Sequence, residues 1–157
     1  MSKAHFIMPS GPTPTVNPVR LGAGAGAANN LSAKDEGKII KLVGESRYDL
    51  AAAGDAIEGV IYAIEPATSG GFTVGGRVKD GMVYAIADGL QGTPGTGAIA
   101  VGDYVVAGSI TAKGTPLASF PKVCKATSQA PGAHAWRVMS LLNEAGLVGQ
   151  RIVIERV

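Results

Sequence analysis

From residue 38 onward this chain is cut into short apolar runs by glycine-rich turns, and that rhythm limits the fold more than any other feature. The runs are residues 38–44, 57–66, 71–75, 82–86, 98–101, 104–107 and 152–157, all rich in Val, Ile and Tyr. β-branched and aromatic side chains suit a pleated, half-buried surface. Runs this short are strands more readily than helices. Between them lie residues 68–71, 79–81, 91–97 and 113–116, built from Gly, Thr, Ser, Asp and Pro. Short runs at regular spacing predict an all-β body, a small β-barrel or β-sandwich. Asp80-Gly81 between two apolar runs predicts a hairpin, because a type I′ turn needs positive φ at both central residues.

Two segments read either way. Residues 46–53 suit one or two helical turns stopped by Gly54. Residues 135–145 suit a helix ended by Gly146. There, however, Trp136, Val138 and Ser140 alternate with Arg137, Met139 and Leu141, a period of two that favours a strand. The turn at 146–149 and the last run then complete a C-terminal hairpin. Gly54-Asp55 and Gly102-Asp103 each precede an apolar run and predict a tight turn, with the aspartate bonding nearby backbone.

The first thirty residues follow another rule. Pro9, Pro12, Pro14 and Pro18 come first, then the run Gly22-Ala23-Gly24-Ala25-Gly26-Ala27-Ala28. Proline excludes helix and central strand. Alanine and glycine offer no side chain to pin a fold. Lys3 and Arg20 are the only Lys, Arg, Asp or Glu in this segment, yet it holds Phe6, Ile7, Met8, Val16, Val19 and Leu21. A disordered tail is poorer in such residues, although termini often fray. The chain therefore divides into an extended, non-regular N-terminal arm over 1–30 and a β-rich body over 31–157. The arm is expected to pack little within its own chain and to order on a neighbouring subunit or another protein through its six large apolar residues.

Composition removes several function classes. Fourteen Lys and Arg against 12 Asp and Glu give a net charge of +2, and the charges are scattered. A nucleic-acid or polybasic membrane surface needs them clustered. One cysteine, Cys124, makes no intrachain disulfide. With His5 and His134 it gives too few soft ligands for a zinc site. Neither a spanning run of about 20 apolar residues nor a signal-peptide hydrophobic stretch is present, so a cytoplasmic origin is expected.

The chemistry-bearing motifs are equally sparse. The Gly22–Gly26 run lacks the spacing and the strand-to-helix setting of a dinucleotide loop. No Gly-x-Ser-x-Gly elbow accompanies His134, so a hydrolase built on His134 is the weakest of the readings. His134 is expected to pack near Trp136. Lys122 and Lys125 flank Cys124 and would lower a thiol pKa, but a buried structural thiol on a strand over 121–126 is favoured. Glu58 and Glu65 read as a solvated pair. No catalytic residue, metal or cofactor is expected.

Residues 31–42 (Leu-Ser-Ala-Lys-Asp-Glu-Gly-Lys-Ile-Ile-Lys-Leu), continuing through Asp55-Ala56-Ile57-Glu58-Gly59-Val60-Ile61, resemble the head decoration, or cement, proteins of tailed bacteriophages. The hairpin from Trp136-Arg137-Val138 to Ile152-Val153-Ile154 is similar to their closing hairpin, and the likeness spans most of 31–157 as a pattern. The resemblance implies a non-enzymatic virion protein, made in the host cytoplasm, that binds the outer surface of an icosahedral capsid. Its partners would be the major capsid protein and itself, as a homotrimer rather than a homodimer, with no direct contact to nucleic acid or membrane. Phe6, Ile7, Met8, Val16, Val19 and Leu21 would lie across capsid or sister subunits and clamp neighbouring capsid proteins in the expanded head. A small-ligand or carbohydrate-binding β module of a virion or tail is the alternative.

Overall fold

A computed structural model describes residues 15–157, apart from the side chains at positions 66 and 67. Eleven strands and two single-turn 3-10 helices, Ala27–Asn29 and Ala33–Asp35, make up its regular structure. The body is all-β, as the spacing of the apolar runs predicts.

The N-terminal half closes into a five-stranded barrel in the order β1 (Val16–Leu21), β3 (Arg47–Leu50), β2 (Ile39–Gly44), β4 (Gly59–Ser69), β5 (Phe72–Val78), with β5 pairing back onto β1. Leu21, Leu31, Ile40, Ile61 and Ile64 fill its interior. The barrel can shut because β5 carries Gly75 at its tightest point. A Cβ there would sit 2.4 Å from the Ala63 carbonyl oxygen and 2.8 Å from Leu21 Cδ1.

The second half forms a six-stranded sheet. Its path is β10 (Trp136–Ser140), β11 (Arg151–Arg156), β6 (Met82–Leu90), β9 (Lys122–Lys125), β8 (Val105–Ala107), with the short β7 (Thr93–Pro94) hooked onto the end of β6. An antiparallel bridge between Tyr104 and Arg137 ties the lead-in to β8 back to β10, so this sheet also curls round on itself. Trp136 lies wholly buried in its centre, in a cluster with Val83, Ala85, Ala87, Val105, Ala107, Val138, Ile152 and Ile154. Alanine at three of those positions leaves the volume the indole takes. The same cluster runs on to Ile39, Ala51, Ile57, Val60 and Val78 of the barrel, so the two halves share one core.

Several expectations change. The described part of the arm, residues 15–30, does not stay apart from the body. β1 pairs along its whole length with β5, from Val16 opposite Val78 to Leu21 opposite Thr73, and in parallel with β3 at Arg20 and Leu21. Leu21 is 0% exposed. Chain without enough side chains to make its own core still gains from completing a sheet that lacks one strand, because backbone groups are obligatory hydrogen-bonding groups. Phe6, Ile7 and Met8 lie outside the described residues.

Residues 46–53 contain a strand, β3, rather than helical turns, since Ser46 at φ 51° reverses the chain onto β2. Residues 98–101 form a turn, not a strand, with Ile99 as a buried plug. Asp80-Gly81 does not join paired strands. β5 pairs with β1 and β4 while β6 pairs with β7, β9 and β11, so this turn carries the chain from one half to the other. The C-terminal hairpin of β10 and β11 forms as expected.

Candidate interaction surface

Three turns of one design set the outline of the surface. In residues 52–55, 100–103 and 147–150 the third residue is glycine, at φ +88°, +87° and +88°. The amide of the fourth donates to the carbonyl of the first, over 3.0, 3.2 and 3.0 Å. The fourth side chain then accepts from the first residue's amide: Asp55 from Ala52 at 2.7 Å, Asp103 from Ala100 at 2.8 Å and Gln150 from Leu147 at 2.9 Å. Glycine takes positive φ without steric cost, and the side-chain acceptor satisfies an amide the turn would otherwise strand. The aspartates therefore bond the backbone three residues before them. Both also hold a lysine of the neighbouring sheet, Lys41 at 2.6 Å and Lys125 at 3.2 Å. The third copy is hidden in the sequence because glutamine replaces aspartate.

Two of these turns lie side by side at one end of the second sheet. Ala98 bridges Leu147, the Ile99 amide donates to the Gly146 carbonyl, and the Gly102 amide to the Val138 carbonyl. Residues 95–102 and 145–149 contain no charged residue. The turns need their glycines, alanines and capping side chains for themselves, and the large residues between point outward. Val101 is 61% exposed and Leu147 52%, with Val148 and Met139 also exposed. Isolated exposed apolar residues are ordinary, but a cluster with no charge in its two loops is a candidate contact surface.

Strand edges offer a partner little. The barrel is closed, the second sheet is nearly so, and the overhanging part of β1 before Arg20 carries Pro18, which has no amide to donate. Along β4, the Glu36 carboxylate accepts from the Ile64 amide at 3.0 Å. Proline and charge at an edge discourage strand addition.

The sequence-singled residues scatter. Val16 and Val19 sit on β1, Val16 outward and Val19 packed against the barrel interior, and Leu21 is wholly inside. Leu21 is thus unavailable to a partner. His134 immediately precedes β10, two residues from Trp136, and lines a groove between the two halves. Glu58 is not a solvated partner of Glu65, because its Oε2 accepts from the Leu42 amide. Cys124 is buried in β9. Burial first, then the charge and hydrogen bond of Asp88, push its thiol up to about 11, so the flanking lysines do not activate it. Asp88 itself is buried and accepts from the Ser109 amide and hydroxyl at 2.7 and 2.6 Å.

A second buried carboxylate, Asp35, pairs with Lys38 at 2.7 Å and accepts from the Gly114 amide, while Lys38 donates to the Ala112 carbonyl. These two clusters fasten the 108–118 loop to the body. Among the described residues no three His, Cys, Asp or Glu side chains converge as metal ligands, and no helix is long and apolar enough to cross a membrane.

No family model matches the chain, and no curated protein or solved structure is significantly similar to it.

Proposed function

We propose that this is a structural virion protein that binds the outer surface of an icosahedral phage capsid and helps hold neighbouring major capsid proteins together in the expanded head. The observation that carries the proposal is the uncharged apolar end of the second sheet, Val101, Met139, Leu147 and Val148, on a body whose strand edges are closed or blocked. The resemblance of residues 31–61 and of the closing hairpin to decoration proteins supplies the kind of partner.

Fully burying one such side chain stabilises by roughly 1.5–3 kcal/mol, and these are about half buried already. One copy therefore gains only a few kcal/mol from this patch, which suits a protein that acts in many copies on a repeating lattice. Residues 1–14, with Phe6, Ile7 and Met8, would provide a second contact. Self-association as a homotrimer would place several such contacts on one shell site.

The test is co-sedimentation of purified protein with expanded, undecorated heads, read by occupancy and by cryo-EM. The full chain should saturate the shells. Val101→Asp with Leu147→Asp, and separately deletion of residues 2–14, should each lower apparent affinity by at least about tenfold while leaving melting nearly unchanged. Full occupancy by both variants, or no binding by the full chain, would overturn the proposal; specific hits on a glycan array would move the choice to the carbohydrate-binding alternative.

A further inference from the structure

Where the barrel meets the second sheet there is an open groove of about 650 Å³. Its walls come from both halves. Residues 56–58 lead into β4, Arg77 and Lys79 lie at the end of β5, residues 132–135 lead into β10, Arg156 ends β11 and Val157 follows it. Pockets of roughly 300–1,000 Å³ are the usual size for ligand sites, and junctions between packed units are a preferred place for them.

The charges here are uneven in a particular way. Arg77, Lys79 and Arg156 line the groove, and none of them forms an ion pair with a described residue. Two carboxylates nearby are held by backbone. Glu58 accepts from the Leu42 amide, and Asp80 accepts from the Thr15 amide at 2.8 Å, its charge also attracted to Lys79 and Arg156 without forming an ion pair. Arg77 is held in place rather than neutralised. Its guanidinium lies 4.5 Å over the Tyr48 ring, and Nη1 donates to the Tyr48 hydroxyl and the Glu58 carbonyl. Its Nε is buried with no hydrogen-bond partner among the described residues. Arg156 donates from Nη1 to the Lys79 carbonyl at 3.3 Å, which sets these two cations on one side of the groove. Three cations lining one groove are suited to carboxylates, to which Lys79 and Arg156 offer charged donors and Arg77, with Nη1 engaged and Nε buried, mainly its charge. The rest of the lining mixes the small residues Ala56, Gly132, Ala133 and Ala135, which let a polypeptide backbone approach, with the larger Ile57 and His134.

We infer that this groove is a binding site for an extended acidic peptide segment of a protein partner, with Arg77, Lys79 and Arg156 as its carboxylate receptors. The inference rests on the proposed function only for the partner being a protein. The apolar end of the second sheet would grip the shell by burial, and the groove would select an acidic segment by charge.

The experiment uses the isolated full-length protein and no shells, so its failure and that of shell binding are separable. A fluorescein-labelled peptide of four Glu-Ala repeats is titrated at low salt and read by anisotropy, beside the matching Gln-Ala peptide. The acidic peptide should bind at least about tenfold more tightly than the neutral one, a ratio that shrinks as salt is raised. Lys79→Glu with Arg156→Glu should abolish the ratio without moving the melting temperature, since both side chains are at the rim. Arg77→Gln should weaken binding too, but it also touches Tyr48, so the double variant decides. Equal binding of the two peptides by the wild type, or an unchanged ratio in the double variant, would overturn the site. Polyphosphate displacing the acidic peptide at far lower charge concentration would overturn the peptide as its ligand.

Discussion

Residues 15–22 and residues 95–102 are alike on paper and opposite in the folded protein. Both are nearly free of charge and mix small residues with valine, leucine or isoleucine. The first becomes β1, pairs on two sides and buries Leu21 completely. The second makes one tight turn, buries only Ile99 deeply and leaves Val101 on the surface. Composition does not separate them. What does is the backbone: the first segment meets a barrel one strand short of closure, and the second satisfies the Ala100 amide through Asp103 and is tied to its neighbours only by isolated bridges. Apolar residues held in a self-sufficient turn stay available to a partner, whereas those on a strand that completes a barrel do not.

That contrast can be broken most sharply by truncation. Deleting residues 2–14 should leave a cooperatively folding protein, because β1 remains intact. Deleting residues 2–21 should abolish cooperative melting, since it opens the barrel between β3 and β5 and empties the place of Leu21. Circular dichroism melts of the two truncations check this, and a cooperative transition in the longer one would show that β1 is dispensable.

A smaller effect comes from single side chains. Leu21→Ala removes a fully buried leucine and should cost about 2–5 kcal/mol, whereas Leu147→Ala, at an exposed position, should stay within about 0.5 kcal/mol of wild type. Urea titrations measure both, and similar losses at the two sites would remove the distinction between sealed and displayed apolar residues.

The smallest effect tests the turn chemistry. Burial works to raise the Asp55 carboxyl, but the hydrogen bond from Lys41, the Ala52 amide and the Lys41 charge outweigh it and hold the group below its ordinary 3.8. A carboxyl whose pKa is depressed by folding stabilises the protein above its unfolded value, and that stability is lost as pH falls through the folded value. Asp55→Asn keeps an acceptor for Ala52 and loses the half-exposed ion pair, so it should cost no more than about 1 kcal/mol near neutrality. The difference from wild type should begin to shrink as pH falls below 3.8 and disappear only below the lowered folded value, as melting temperatures followed from pH 7 to pH 2 would show. A difference that persisted in acid would place the contribution elsewhere.

Much of the fold is legible in the residues. β2, β4, β5, β6, β8, β9 and β11 all coincide with β-branched runs between turns, and the alternation in Trp136–Ser140 is enough to choose strand over helix for β10. β1 and β3 are not legible, because proline in one and Tyr-Asp-Leu-Ala in the other carry weak local preference, and their strand pairing is with partners far along the chain. The contact surface is half legible. The absence of charge in 95–102 and 145–149 is plain in the sequence, but the same feature suits a buried strand, so exposure cannot be read from it. The groove has no sequence signal at all: Arg77, Lys79 and Arg156 are separated by up to 79 positions and share no motif.

The sequence alone therefore determines an all-β body, its turns and the contrast between its first residues and the rest, because those follow from local backbone preference and side-chain shape. The tertiary structure decides which uncharged segment is swallowed and which is displayed. It also brings to one groove three cations that form no ion pair among the described residues, since both outcomes depend on where distant backbone donors and acceptors find their partners.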